Sequence, residues 1–339
     1  MLFILEWYQV AAIGILIALA VFSWVSRPPR KTGVSPPGPW GWPVVGYLPH
    51  LGREPHVKLT SLRKHYGDVF SVQFGSRQAV FINGLEAIKQ AVIKQATEFA
   101  GRPDFYSFKF IANGNSMGFG DYGPRWKLHR RIAQNSLALF INSKDSPISH
   151  AIQEEAQILV QNLLAGDGQP VNPHTEIYLS VGNIICALCF GKRYQRDDPD
   201  FLKLVKMNDE FMAFAGAGNP VDIMPWTRFL TQRSFSKFLG ILRTMDEFCL
   251  KKRQEHMDTY DAAEVRDVTD CLIRATKTTP QEEKDAAGLT DESILTTVQE
   301  MIGAGFDTIS STLQWSVLYM ATHPESSGCY SAGDRQRDG

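Results

Sequence analysis

The apolar segment spanning residues 289–325 constrains the fold more than any other part of the chain. Thr290 is a good helix N-cap, and Asp291 and Glu292 follow it in the first turn, where the helix dipole favours negative charge. Pro324 ends the segment, because proline lacks the amide donor that a helix interior needs. About 32 residues at the α-helical rise give a helix of roughly 48 Å. The segment therefore predicts one long helix, apolar on almost every side, inside a large core.

The middle of this segment departs from the pattern of an ordinary core helix. Gly303 and Gly305 each cost about 1 kcal/mol relative to alanine, and Asp307 is an acid among apolar residues. Ala304 and Thr308 are four residues apart on one face, so the Thr308 hydroxyl can donate to the Ala304 carbonyl and open a polar notch. Two interpretations remain open. The small residues make room for a flat ligand beside an acid and an alcohol that relay protons, or they admit a neighbouring helix while Asp307 forms a salt bridge.

Size and composition exclude several classes of protein. The chain has 339 residues, of which 44% are hydrophobic, and a net charge of −1. This is enough to bury a sizeable core, and it argues against electrostatic binding of nucleic acid. The odd number of cysteines without a regular spacing favours a reducing compartment over a secreted disulfide framework; they are Cys186, Cys189, Cys249, Cys271 and Cys329.

The N-terminal segment predicts attachment to a membrane. Residues 7–25 carry no charge, and Arg27, Arg30 and Lys31 follow directly. The length suits a transmembrane helix, and the positive charges place the N-terminus across the membrane with the rest of the chain in the cytosol. We favour an uncleaved anchor over a signal peptide, which has its positive charge first, and over a buried soluble helix. The predicted divisions are an anchor over 1–26 and a basic, proline-rich hinge over 27–49.

The remaining periodicity predicts a mainly α-helical protein with a small β-sheet. A hairpin is expected over residues 68–83 with its turn at Gly75 and Ser76, and helices are expected over 57–66 and 84–95. Residues 277–288 are polar and predict a loop that leads into the long helix. Residues 200–230 are rich in Phe and Met and predict a helix that breaks at 216–220, as either core packing or a mobile lid over an apolar pocket.

A glycine-rich loop at residues 113–123 precedes a helix with an unusual pair of donors. It lacks the Lys-Ser/Thr of a phosphate-binding loop, so that interpretation is weak. Trp126 and Arg130 lie four apart on the helix and offer only hydrogen-bond donors, which suits an anionic carboxylate. A cation–π pair on the helix surface is the alternative. Arg125, Lys127 and Arg131 make the same helix basic.

Cys186 and Cys189 have a Cys-x-x-Cys spacing. They lie in an apolar helical run with no second ligand pair, so we interpret them as core residues and not as a redox or zinc site.

The sequence AGFDT at residues 304–308 resembles the central-helix signature of the cytochrome P-450 superfamily, the haem-thiolate monooxygenases. The W-x-x-x-R pattern at 126–130 resembles a motif of this family, and the proline-rich run at 36–43 is similar to the hinge that follows the anchor in its microsomal members. NPVDIMPWTRFL at 219–230 and FGKRY at 190–194 look like animal family 1, the aryl-hydrocarbon-hydroxylase group. The resemblance extends from the anchor to Pro324 and implies a partial catalytic domain over residues 50–325.

The resemblance implies a set of site residues around a haem. The pair expected to bind a haem propionate is Trp126 and Arg130. The residues expected to lie against haem are Ala304, Gly305 and Thr308, and those expected to guide protons to oxygen are Asp307 and Thr308. The residues expected to contact a flat apolar substrate are Phe119, Phe211, Gly303 and Ala304. The basic helix Arg125–Arg131 is expected to bind an NADPH-dependent reductase, and the location is expected to be the endoplasmic reticulum membrane.

The final segment departs from the family pattern. Residues 326–339 are small and polar, which predicts a disordered tail. The Phe-x-x-Gly-x-x-x-Cys-x-Gly loop that supplies the iron-ligating thiolate is absent, and Cys329 lacks its flanking residues. The expectation is therefore a C-terminally truncated monooxygenase without an axial metal ligand. The alternative is a non-catalytic truncated isoform or pseudogene product that binds apolar ligands or partners at the membrane.

Overall fold

The structure, a computed structural model, describes residues 12–19, 35–141, 147–166 and 169–323. The main helices are α1 (Pro55–Tyr66), α2 (Leu85–Lys89), α3 (Pro124–Ile141), α4 (Pro147–Leu164), α5 (His174–Phe190), α6 (Pro199–Ala217), α7 (Pro220–Ile223), α8 (Gln232–Thr259), α9 (Val268–Thr278), α10 (Gln281–Ala287), α11 (Asp291–Leu295) and α12 (Thr297–Thr322). The strands are β1 (Val69–Phe74) and β2 (Arg77–Ile82). The prediction of a mainly helical protein with a small sheet is confirmed.

The described residues form two compact units. One contains the described residues within 1–109 and 218–236, and the other contains those within 110–217 and 237–339.

The first unit is built on the predicted hairpin. β1 and β2 are antiparallel, with Val69 opposite Ile82 and Phe74 opposite Arg77, so the turn falls at Gly75 and Ser76 as predicted. The buried side chains around it are Tyr47, Leu62, Phe70 and Val72.

The proline-rich segment packs along β1. The amide of Ser71 donates to the carbonyl of Pro37 at 2.8 Å, and the Ser71 hydroxyl donates to the carbonyl of Pro36 at 2.9 Å. Part of the predicted hinge therefore lies beside the sheet and is bonded to it. Its prolines have no amide hydrogen to donate, but their carbonyl oxygens accept hydrogen bonds from β1.

The second unit is organised around α5 and α12, which pack against each other. Eleven residues of α5 are buried, among them Ile177, Ile185, Cys186 and Cys189. The helix ends at Gly191, whose φ of 59° is left-handed and whose amide donates to the Ala187 carbonyl. The apolar sequence of this helix is thus explained by a position inside the unit.

The long C-terminal helix differs from its prediction in two ways. Thr290 does cap a helix, because its hydroxyl accepts from the Ser293 amide, but that helix is the short α11, and α12 begins after a break at Thr296. The second difference is that only one side of α12 is buried. The large apolar side chains of α12 that are exposed are Ile309, Leu313, Trp315, Leu318, Tyr319 and Met320. The expectation of a helix surrounded by core was wrong on this side, since α5 covers only one face.

Two further predictions concern segments near the ends of the chain. Among the described residues, we find no helix with the length and apolar character needed to cross a membrane. Residues 12–19 are helical, but the rest of the predicted anchor and the predicted tail at 326–339 lie outside the described residues.

The predicted polar loop at residues 277–288 is in part helical. Gln281–Ala287 forms α10, with Glu282 and Glu283 in its first turn and Gly288 as a left-handed cap. The first-turn acids and the capping glycine stabilise a short helix in a segment that has no apolar periodicity.

Candidate functional site

The exposed side of α12 carries the residues that the sequence places on one face. Ala304 and Thr308 are both exposed, and the Thr308 hydroxyl donates to the Ala304 carbonyl at 2.7 Å, as predicted. One turn later the Thr312 hydroxyl donates to the Thr308 carbonyl at 2.7 Å. Because both hydroxyl hydrogens are used inside the helix, their oxygen lone pairs remain available to a ligand.

The two glycines of α12 have different neighbours. A Cβ added to Gly305 would lie 2.6 Å from Cδ1 of Ile185, whereas a Cβ added to Gly303 would have no atom within 4 Å. The two helices are equally close at Gly182 of α5, where an added Cβ would lie 2.7 Å from the Phe306 ring of α12. Gly305 therefore admits the neighbouring helix, which is the second of the two interpretations that the sequence left open. Gly303 alone faces open space.

Asp307 is half-buried, and no salt bridge to it occurs within the part of the chain that the structure describes. The salt bridge expected for a simple packing helix is thus not seen. Its charge acts on Tyr178 of α5. Burial raises the pKa of Tyr178, a hydrogen bond from Asn208 opposes this, and the charges of Asp209 and Asp307 raise that pKa further.

The glycine-rich loop is irregular, as predicted, and is attached to α3 and α12. Trp126 Nε1 donates to the Met117 carbonyl at 3.1 Å, and Arg125 Nη2 donates to Asn115 Oδ1 at 2.6 Å. On the other side the carboxylate of Glu300 accepts hydrogen bonds from the loop. The loop that carries Phe119 is therefore held next to the exposed side of α12.

Trp126 and Arg130 adopt the alternative geometry that the sequence allowed. The guanidinium carbon of Arg130 lies 5.1 Å from the Trp126 ring centroid, which is a cation–π contact. Arg130 is exposed, so its donors face solvent, while the indole N–H is already used by Met117. Only the guanidinium is free to meet an anionic group in this arrangement.

The basic residues of α3 do not form one continuous positive surface. Arg125 is half-buried and also donates to the Ser293 hydroxyl at 2.9 Å. Arg131 forms a salt bridge with Glu283, and Lys127 lies 4.9 Å from the Tyr122 ring centroid. Arg131 is also exposed, but its charge is paired with Glu283, whereas Lys127 and Arg130 form no salt bridge with any described residue.

The aromatic residues predicted to contact substrate are half-exposed or half-buried. Phe119 is 37% exposed, and its amide donates to the Ser116 hydroxyl at 3.0 Å. Phe211 of α6 is stacked on Phe238 of α8, with centroids 6.1 Å apart, and packs against the core of the second unit.

Sequence reasoning missed His129 and Glu300. His129 is almost fully buried, and its Nε2 lies 2.7 Å from the Thr297 hydroxyl at the start of α12. Burial, helped by the charge of Arg125, lowers the pKa of His129 from 6.5 to about 4, so the ring is neutral at pH 7. Glu300 had a signal, since it is, like Asp307, an acid in the interior of the apolar segment.

The four described cysteines do not offer a thiolate. Burial raises the pKa of Cys186 and of Cys249 to about 12, and it also raises the pKa values of Cys189 and Cys271. Cys186 and Cys189 are fully buried, so their interpretation as core residues is confirmed. Cys329 lies outside the described residues.

One cluster of potential metal ligands is present in the described part of the chain, and its atoms are already engaged. His256 Nε2 lies 2.8 Å from Asp267 Oδ2, and His256 Nδ1 lies 2.8 Å from the Lys252 carbonyl. Both partners only accept, so both ring nitrogens carry protons and neither has a lone pair for a metal. The other acid, Asp270, accepts hydrogen bonds from Arg266.

Known proteins resemble this chain in sequence. The cytochrome P450 family profile matches residues 36–327. Cytochrome P450 1A1 of Macaca mulatta is 38% identical over 333 residues, and that of Rattus norvegicus is 39% identical over 331 residues; each match covers 93% of this chain. The chain spans 65% and 63% of the length of these two relatives.

A solved structure shows the same fold. It is described as zebra fish cytochrome P450 with progesterone and superposes with a TM-score of 0.70 at 28% sequence identity. The superposition covers 80% of this chain and 61% of the other one.

Proposed function

Because the chain belongs to the cytochrome P450 family, we propose that it forms the part of a haem monooxygenase site where oxygen and substrate bind. The reaction would be the hydroxylation of flat apolar molecules. The open side of α12 is the observation that supports this proposal. A Cβ added to Gly303 would meet no atom within 4 Å, and Ala304 and Thr308 beside it are exposed. A surface of small residues on a rigid helix suits a planar macrocycle, whose contact area depends on close approach.

Haem is the family's cofactor, and the described residues fit one face of it. Ala304 and Thr308 would lie against the ring, and the guanidinium of Arg130 would bind a propionate, with Trp126 stacked beneath it. Gly305, which was also expected to lie against haem, faces α5 instead. The described residues do not supply a thiolate to bind the iron, since burial raises the pKa of all four described cysteines. Haem would supply the activation of O₂ for insertion into a C–H bond.

Thr308 and Asp307 would deliver protons. The Thr308 hydroxyl has free lone pairs while it donates to the Ala304 carbonyl, so it accepts a proton from water and passes its own on by rotating away from that carbonyl. Asp307 precedes Thr308 in the sequence and has no salt bridge in the described part of the chain, so its carboxylate would be the second group of the relay.

Phe119, Phe211, Gly303 and Ala304 would contact the substrate. Aromatic rings favour flat apolar molecules through stacking, and the two small residues let such a molecule approach the reacting centre closely.

Electrons would come from an NADPH-dependent reductase that meets the basic helix α3 over residues 125–131, where Lys127 is exposed. Anchoring in the endoplasmic reticulum membrane through residues 7–25, with a luminal N-terminus, is part of the same proposal, because it would keep the site near apolar substrates.

A fusion protein tests the proposed function. The chain is joined to the C-terminal remainder of the Macaca mulatta relative, expressed with added haem, and examined as its reduced carbon monoxide complex. We expect the red-shifted Soret band of a thiolate-ligated haem. A haem-free protein that is folded by circular dichroism would contradict the proposal.

Turnover in the same fusion tests the proton-delivery residue. General acid catalysis contributes about 100-fold or more, so Thr308→Ala is expected to lower coupled product formation by at least about tenfold while reductant consumption continues. Thr312→Ala is the matched control, because it removes the same type of hydroxyl-to-carbonyl bond one turn away. Equal effects of the two substitutions would remove the special role of Thr308.

A further inference from the structure

The carboxylate of Glu300 accepts hydrogen bonds from three consecutive residues of the glycine-rich loop. The Ser116 hydroxyl donates to Oε1, the Met117 amide donates to Oε2 at 3.0 Å, and the Gly118 amide donates to Oε1 at 2.9 Å. Glu300 is in the first turn of α12, and the loop residues are more than 180 positions away in sequence. A charged acceptor with several donors makes stronger bonds than neutral pairs do.

The network continues to Phe119. The Ser116 hydroxyl has one hydrogen, which it donates to Glu300, and its oxygen accepts from the Phe119 amide at 3.0 Å. The amide of Phe119 is therefore connected to Glu300 through a single hydroxyl. Since Phe119 lies on an irregular segment, these bonds fix its backbone where no helix or sheet does so.

The packing of the loop leaves little room for alternatives. A Cβ added to Gly118 would lie 3.4 Å from Glu300 Oε1, and a Cβ added to Gly120 would lie 2.5 Å from the Ser116 carbonyl oxygen. The glycines thus allow the loop backbone to approach the carboxylate and to turn back on itself. A negative charge in the first turn of a helix is stabilising by itself, but here the carboxylate contacts the loop amides.

Glu300 also has a defined position relative to the proposed ligand face. Ala304 follows it by four residues and Thr308 by eight, so all three lie on one side of α12, about 6 Å and 12 Å apart along the axis. The loop is therefore fixed one helical turn from Ala304.

From these contacts we infer that Glu300 is a positioning residue for the Ser116–Phe119 segment, and that it determines which flat apolar ligands fit between Phe119 and the open side of α12. The ligand part of this inference rests on the proposed function. The attachment of the loop to Glu300 does not.

Amide exchange on the 339-residue protein tests the attachment. Deuterium uptake of the Met117 and Gly118 amides is measured in the unsubstituted protein, in Glu300→Gln and in Glu300→Ala. We expect Glu300→Ala to speed exchange at both amides by about tenfold or more, and Glu300→Gln to have a smaller effect because one acceptor oxygen remains. Glu292→Gln is the control, since Glu292 is an acid in the first turn of α11 that bonds to Arg253.

Two results decide the attachment. Unchanged exchange at Met117 and Gly118 in Glu300→Ala, with α5 amides protected as before, would overturn the inference. If Glu300→Ala unfolds the protein, Ser116→Ala replaces it, because that substitution removes one donor and leaves the carboxylate in place. Faster exchange at Phe119 in Ser116→Ala supports the inference, and unchanged exchange there overturns it.

Ligand binding tests the role in specificity. Pyrene is the probe, because it is flat and apolar and its fluorescence reports the polarity of its surroundings. We expect Glu300→Ala and Phe119→Ala each to raise the pyrene dissociation constant about tenfold, and the double variant to raise it little more than either one. Such non-additivity is the signature of residues that act through one another.

The other outcomes separate this inference from the proposed function. Fully additive effects would overturn the role of Glu300 in positioning Phe119. If the unsubstituted protein does not bind pyrene either, but Glu300→Ala still accelerates exchange of the loop amides, the attachment stands and the assignment of a flat apolar ligand to this face fails.

Discussion

The two sides of α12 use the same types of residue for different purposes. Toward α5, Gly305 and Phe306 meet Ile185 and Gly182 so closely that a Cβ on either glycine would lie 2.6–2.7 Å from a neighbouring side chain. On the other side, a Cβ added to Gly303 would meet no atom within 4 Å. A glycine in a helix is therefore not evidence of a ligand by itself. The evidence lies in what occupies the space beside it.

The largest expected difference between the two sides comes from removing a large apolar side chain. Phe306 is fully buried, and its ring meets Tyr178 edge-on with centroids 5.8 Å apart. Phe306→Ala is expected to lower the free energy of unfolding by about 3–5 kcal/mol, because it removes apolar contacts and leaves a cavity. Urea denaturation followed by circular dichroism measures this.

Leu313→Ala on the open side is the comparison variant. Leu313 is 39% exposed, so its replacement is expected to change the free energy of unfolding by about 0.5 kcal/mol or less. A loss at Leu313 as large as that at Phe306 would mean that the open side is covered in solution.

The pH dependence of stability reports on the packed side at the start of α12. The pKa of His129 is lowered from 6.5 to about 4 in the folded protein, first by burial and then by Arg125. Between these values the unfolded chain binds the proton and the folded chain does not, so stability falls as pH falls from 6.5 toward 4. At about 1.4 kcal/mol per pKa unit, this contributes a loss of roughly 3 kcal/mol.

His129→Gln isolates this contribution. Glutamine keeps a polar group near Thr297 but does not titrate, so the stability difference between the two proteins should shrink as pH falls through this range. Parallel stability curves for the two proteins would show that His129 has an ordinary pKa.

The smallest expected effects come from replacing each glycine of α12 by alanine in a separate variant. This is the closest comparison of the two sides. Gly303→Ala is expected to raise the free energy of unfolding by about 0.5–1 kcal/mol, since alanine favours helix and the new methyl group meets nothing. Gly305→Ala is expected to lower it by about 1 kcal/mol, because overpacking against Ile185 outweighs the same gain. Thermal unfolding of both variants measures the sign. The same sign at both positions would remove the distinction between the two sides.

Local signals in the sequence predicted local structure well. The turn at Gly75 and Ser76 fixed the hairpin register, and the Thr308 hydroxyl bonds to the Ala304 carbonyl as its spacing requires. The start of α3 at Pro124 also follows from one residue, because proline suits the first turn of a helix.

Features that depend on distant partners could not be predicted from one sequence. The side of α12 to which Gly305 belongs depends on Ile185, which is 120 positions earlier, and periodicity alone does not identify that neighbour. The attachment of Glu300 to Ser116 is of the same kind. Helix periodicity states which residues share a face, but it does not state which face is covered.

Haem incorporation by Ala304→Trp in the fusion with the Macaca mulatta remainder tests the central claim most directly. The claim is that the open side of α12 receives a planar cofactor. An indole at Ala304 would occupy that surface, so haem content per protein should fall at least about tenfold, while the melting temperatures of the haem-free variant and the haem-free unsubstituted fusion stay within a few degrees of each other. Ala321→Trp, an exposed position on the same helix about 25 Å away along the axis, should incorporate haem normally. Full haem incorporation by Ala304→Trp would contradict the account.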